Sequence, residues 1–127
     1  MTHAAAVAEA IAILKRKPTG RKERLEAVAR LARYGAFSNA QISRITGADA
    51  RDVAPLTGKT DHSGGKLEPE ALVLIGDIIK RHQAGEIDNT LFVRTVDAGT
   101  SSVVIGRLTG IPPRSVRRYI ARGRDAA

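Results

Sequence analysis

Apolar residues recur along this chain at three- and four-residue spacing, the signature of helices with one buried face. Val7, Ile11 and Leu14 form the first such stripe, predicting a helix capped by Thr2 and running to about Lys17, before Pro18 and Gly20 break it. A second helix is expected from about Arg21 to Tyr34, with Leu25, Val28, Ala29, Leu31 and Ala32 inward and Gly35 ending it. Ser38-x-x-Gln41 has the spacing of a capping box, in which each side chain satisfies the other residue's backbone amide. It opens a short helix burying Ile42 and Ile45. Thr46 and Gly47 turn the chain, and Asp49 caps a helix from Ala50 to about Leu56.

The pattern resumes after a Gly- and Ser-rich loop. Pro69 sits at a first helical turn with Glu68 and Glu70 beside it. Leu72, Ile75, Ile78, Ile79 and His82 are expected on its inner face, with Lys80 and Arg81 before the closing Gly85, so that acid precedes base as the helix dipole favours. Asp88 opens the next helix, to about Asp97, carrying Leu91, Phe92, Val93 and Val96. In the following helix Val103, Ile105 and Leu108 are the expected buried stripe. Thr109 and Gly110 make its turn, Ile111 plugs the corner, and Pro112 and Pro113 suit the start of a last helix. There Val116, Tyr119 and Ile120 face inward, which turns Arg114, Arg117, Arg118 and Arg122 outward. Gly123 to Ala127 reads as a frayed tail.

Two of these segments share one grammar. Ile42, Arg44, Thr46, Gly47, Arg51 and Val53 recur 63 residues on (42 to 105) as Ile105, Arg107, Thr109, Gly110, Arg114 and Val116. With one residue of slip, Val28, Ala29 and Ala32 match Phe92, Val93 and Val96. The chain reads as two copies of one helical unit, residues 1–66 and 67–127, within a single all-α domain of about seven helices.

Composition narrows the partner. The chain of 127 residues has 43% hydrophobic and only 3% aromatic residues, so its core is aliphatic. Lysine and arginine number 21 against 13 acids, a formal net charge of +8, and a domain so basic points to a polyanion, nucleic acid first. Tyr34, Phe37, Phe92 and Tyr119 look scattered and mostly buried, so the stacking platforms of single-strand binders are missing and duplex DNA is favoured. There is no cysteine, which removes disulfides and thiolate chemistry. No apolar run approaches the roughly 20 residues of a membrane span, and the apolar start contains Glu9, so a cytoplasmic location is expected.

The small residue Gly106, expected where two helices cross closely, turn glycine Gly110, apolar corner Ile111 and core Val116 together resemble the helix-turn-helix motif of DNA-binding transcriptional regulators. The resemblance covers about a sixth of the chain, and it implies that the helix 113–122 enters a major groove. Pro113, Arg114, Ser115, Arg117, Arg118 and Arg122 then lie at the positions that meet bases and phosphates, with Arg107 close by. In the first copy the corresponding positions hold Asp49, Ala50, Arg51, Ala54 and Pro55. Asp49 and Asp52 would repel phosphates, so Arg51 is the weaker candidate. Lys15, Arg16, Lys17, Arg21 and Lys22, continued by Arg24, form a basic run that is either a solvated helix end or a set of phosphate contacts. Lys59 and Lys66, in the loop with His62, either touch the DNA backbone or belong to a plain linker. The architecture and basic composition also look like small DNA-binding proteins of actinobacterial phages, including immunity repressors.

Chemistry is not apparent. A glycine-rich NTP-binding loop is excluded, since Gly58-Lys59-Thr60 lacks the preceding glycine at the required spacing. His3, expected in a flexible end, His62 and His82 are dispersed, and the serines at 38, 101 and 102 suit caps. The expectation is a sequence-specific binder of double-stranded DNA, not an enzyme, with no metal or cofactor. Repression by occupying an operator is its natural role, as a monomer with tandem motifs or as a homodimer. A phage packaging subunit that oligomerises through the helix 69–84 and a DNA-bending recombination factor are the alternatives.

Overall fold

The computed structural model describes residues 3–58 and 64–126. Eight helices, and no strand, follow one another among them: α1 (Ala4–Arg16), α2 (Gly20–Ala32), α3 (Asn39–Thr46), α4 (Ala50–Thr57), α5 (Pro69–Gln83), α6 (Asn89–Gly99), α7 (Ser102–Thr109) and α8 (Pro113–Ala126). The expected all-α bundle is observed, with eight helices where about seven were anticipated; each of the two units expected to be a helix-turn-helix contains a short helix, a Thr-Gly turn and a second helix. Thr2, Lys59, Thr60, His62 and Ser63 lie outside the described residues.

The duplication extends to geometry. α3 and α7 are both eight residues long and begin 63 residues apart (39 and 102), as do α4 and α8 (50 and 113). In each copy the first of these helices follows a serine whose hydroxyl accepts from a first-turn amide: Ser38 from Gln41 at 3.2 Å and Ser101 from Val104 at 3.3 Å. Gln41 returns a bond to the Ser38 amide, completing the box in the first copy alone. α2, α3 and α4 pack on one another, as α8 packs on α6 and α7. α1 and α5 lie across their own units and against each other, closing one aliphatic core of Ile13, Val28, Leu31, Ile42, Leu72, Ile75, Ile78, Phe92, Ile105 and Leu108.

Several faces differ from expectation. Val104, not Val103, is buried; Val103 is 59% exposed, because Val104, Ile105 and Leu108 form the i, i+1, i+4 stripe that the Gly110 turn presents to the core. In α2 the buried pair is Ala27 and Val28, leaving Ala29 outside. His82 is exposed, since α5 has its last core contact at Ile79. Tyr34 is 44% exposed beyond the end of α2. Phe92 and Tyr119 are not scattered but packed as a tilted pair, 5.1 Å between centroids and 48° between planes, pinning α8 to α6. The amino end is tied down as well, His3 donating its backbone amide to the Leu108 carbonyl at 3.0 Å.

Residues 123–126 are helical rather than frayed. Gly123 is buried because α8 crosses α6 there: a β-carbon at Gly123 would lie 2.5 Å from the Asn89 carbonyl oxygen and 2.6 Å from Val93. Arg124 pairs with Asp97 at 3.1 Å just beyond.

The described part of the linker is packed. Gln41 donates to the Gly64 and Gly65 carbonyls at 2.8 and 2.9 Å, Thr100 to the Lys66 carbonyl at 2.9 Å, and the Glu68 amide to Gly99 at 2.9 Å. Two arginines at equivalent places in the repeat then clasp the units. Arg44 of α3 donates to Glu68 at 2.6 and 2.9 Å, and Arg107 of α7 donates to the Ala36 carbonyl. The two differ in worth. Arg44→Ala removes a solvent-exposed ion pair and lowers stability by less than about 1 kcal/mol. Arg107→Ala strands a buried carbonyl and costs about 1–2 kcal/mol. Urea denaturation of the two variants checks this order.

Candidate nucleic-acid interface

The turn before each second helix is held by one device. The Thr46 hydroxyl donates to the Ile42 carbonyl at 2.8 Å and accepts from the Ala48 amide at 3.1 Å. Thr109 donates to Ile105 at 2.7 Å and accepts from Ile111 at 3.2 Å. The next residue must then be left-handed, and Gly47 (φ 79°, ψ 3°) and Gly110 (φ 82°, ψ 0°) take that conformation without a β-carbon penalty. A threonine that bridges both sides of the turn fixes the angle between its helices, which any device that points a helix at a groove requires.

The copies differ at the contact between helices. In the first, Ser43 donates its hydroxyl to the Ala48 carbonyl at 2.7 Å. In the second, the corresponding carbonyl, of Ile111, is so near that a β-carbon on Gly106 would approach it to 2.8 Å, with Pro113 at 3.1 Å. Gly106 therefore stands where two segments cross closely, as expected, and α8 sits tighter on α7 than a side chain would permit.

α8 buries Val116 and Gly123, half-buries Ser115, Tyr119 and Ile120, and exposes Pro113, Arg114, Arg117, Arg118 and Arg122. Positions 114, 117, 118 and 122 form a single stripe at i, i+3, i+4 and i+8, about 12 Å long at 1.5 Å per residue. None of the four has an acidic partner within ion-pair distance among the described residues. The Arg118 guanidinium lies over the Tyr119 ring at 5.5 Å, which orients it without neutralising it. α8 packs on α6 and α7 of its own unit, leaving the arginine face uncovered.

α4 is built on the same plan, but its charges are compensated. It is eight residues long and contains Pro55. Arg51 is fully at the surface, but its guanidinium folds back on Asp49 with contacts of 3.2 and 3.1 Å. That side-chain hydrogen bond, with the Arg51 amide bond at 2.9 Å, holds the Asp49 carboxyl below the usual carboxylate range. Asp52 takes Arg21 of α2 at 3.2 Å. Two of the expected contact residues, Arg51 and Arg21, are thus paired within their own unit.

The remaining basic residues are placed as follows. Lys15, Arg16, Lys17 and Lys22 are exposed around the α1–α2 junction, where Lys17 closes α1 in a left-handed conformation (φ 52°). Lys66 is exposed on the pinned linker, and Lys59 lies outside the described residues. Arg107 is elsewhere than expected: with its guanidinium on the Ala36 carbonyl and 3.4 Å from Gln41, it holds the two units together, and its desolvation lowers its pKa. Arg24, read from sequence as part of the basic run, faces the first turn; with Lys17 and Arg44 it lines a shallow groove of about 190 Å³ against Thr46 and Gly47. The approach of α2 to that turn sets it apart from the rest of the run.

Among the described residues no group of three or more His, Asp and Glu is placed to hold a metal ion, and no helix is long and apolar enough to cross a membrane. No family model matches the chain, and no curated protein or solved structure matches it either.

Proposed function

We propose that this chain binds double-stranded DNA, with α8 in the major groove, as helix-turn-helix regulators do, and that it acts by occupying an operator, most simply as a repressor. The observation that carries this reading is the stripe of Arg114, Arg117, Arg118 and Arg122: four exposed cations, without acid partners among the described residues, on a helix braced by a Thr-Gly turn. A major groove about 12 Å wide accepts one helix, and arginine bound bidentately to guanine is the commonest specific contact there. Lys15, Arg16, Lys17, Lys22 and Arg24 supply charge for backbone contacts that position without specifying.

The packaging reading relies on an oligomerising helix at 69–84. α5 has Leu72, Ile75, Ile78 and Ile79 buried against α1, α6 and α7 of its own chain, which favours the operator reading.

The test is enrichment of random duplexes on the purified chain, followed by affinity measured against salt. A defined G-containing core should emerge, and log Kobs should fall against log salt with a slope of about −3 or steeper, as at least three or four phosphate contacts require. Failure to enrich any duplex, with a slope near zero, rejects DNA binding.

A further inference from the structure

The two copies present faces of unlike electrostatic character on one scaffold, one charge-compensated and one positive. Asp49 and Asp52 stand on or beside α4, each within 3.2 Å of an arginine, so the two pairs Arg21–Asp52 and Arg51–Asp49 sum to zero, with Arg24 beside them in the same cleft. The same sum over the α8 stripe is four positive charges. Exposed ion pairs are weak, and a phosphate could compete for Arg51 or Arg21. Competition does not help, because either arginine's departure leaves a bare carboxylate facing the duplex. Counterion release needs net positive charge, and the two carboxylates cancel two of the cations this face would offer.

We propose that α4 is a silenced reading head: Asp49 and Asp52 hold Arg51 and Arg21 within the first unit, so that α8 alone reads base sequence. This rests on the DNA-binding reading above and names its target class. The specific element is one kind of core, about four base pairs long, as a 12 Å stripe at 3.4 Å per base pair implies. The first unit's turn, Thr46-Gly47 with its threonine bridge, is intact. The turn that would present α4 is therefore kept, and the silencing is electrostatic and reversible by substitution.

The experiment uses the full chain carrying Asp49→Asn and Asp52→Asn together. Asparagine caps a helix as well as aspartate does, so α4 should persist, and circular dichroism with a thermal melt verifies it. Duplex selection on the wild type should return one kind of core sequence, single or in inverted copies. The double variant should return a second, unlike core at fixed spacing. It should also bind about tenfold tighter near 50 mM salt, with a salt slope steeper by about two. Adding Arg51→Ala to the double variant should remove most of that gain. Two unlike cores from the wild type, or a folded double variant whose core and salt slope are unchanged, overturns the proposal and leaves DNA binding by α8 standing. Failure of the wild type to select any duplex, together with a salt slope near zero, sinks both.

Discussion

Arg117→Ala lowers affinity for the selected duplex by about 5- to 150-fold, the 1–3 kcal/mol of one bidentate arginine–guanine pair. Arg117 sits at the middle of the stripe, three residues from Arg114 and five from Arg122, where the helix approaches the groove floor most closely if the stripe faces it. It has no acid partner among the described residues, so alanine removes no internal contact and the fold should keep its melting temperature. The loss has a shape as well as a size. Preference should relax at one or two base pairs, while binding to unrelated DNA weakens only by one phosphate contact. Arg114→Ala should behave alike, displaced by one base step. Arg51→Ala should change little, since that guanidinium is already spent on Asp49. Competition assays with single-base variants of the core make the comparison, and a larger effect from Arg51 than from Arg117 would reverse the ranking of the two units.

The second large effect is on the fold. Gly123→Ala places a methyl group 2.5 Å from the Asn89 carbonyl oxygen and 2.6 Å from a Val93 methyl. The valine can rotate, but the carbonyl belongs to the first turn of α6 and moves only with the helix. Overpacking of this kind costs about 1–3 kcal/mol, a fall in Tm of roughly 5–15 °C for a chain of this length. Binding should suffer too, because the crossing at Gly123 and the Phe92–Tyr119 pair are what set the direction of α8. Calorimetry gives the stability change. Duplex affinity measured well below the melting temperature separates misdirection of α8 from simple unfolding. An unchanged Tm would mean that α8 does not cross α6 at this point.

Gly123 also shows where sequence reasoning stops. Glycine near a chain end reads as fraying, because local propensity is all that a sequence displays there. Its real role is to let another helix approach, and that helix begins at Asn89, more than thirty residues earlier. Val103 is a similar case: three apolar residues in four leave the inward pair ambiguous, and the angle of the Thr109–Gly110 turn chooses Val104 and Ile105. Gly106, by contrast, was legible, because a small residue before a Thr-Gly turn has a local reason to be small, and the neighbouring Ile111 carbonyl is only five residues away.

By itself the sequence determined the helical class, the breaks at Gly47 and Gly110, the serine and aspartate caps, the repeat and the arginine stripe of α8. Apart from the repeat, which shows as a constant offset of 63 residues, all of these depend on residues within two or three helical turns of one another, and so are written in spacing. Tertiary structure alone decided which arginines remain available. Arg107 and Arg114 look equally exposed on paper, yet Arg107 is bound to a carbonyl 71 residues away and Arg21 to an aspartate 31 residues away, while Arg114 meets no acid among the described residues. Charge is a property of a residue, but free charge is a property of its neighbours, and those neighbours are chosen by packing.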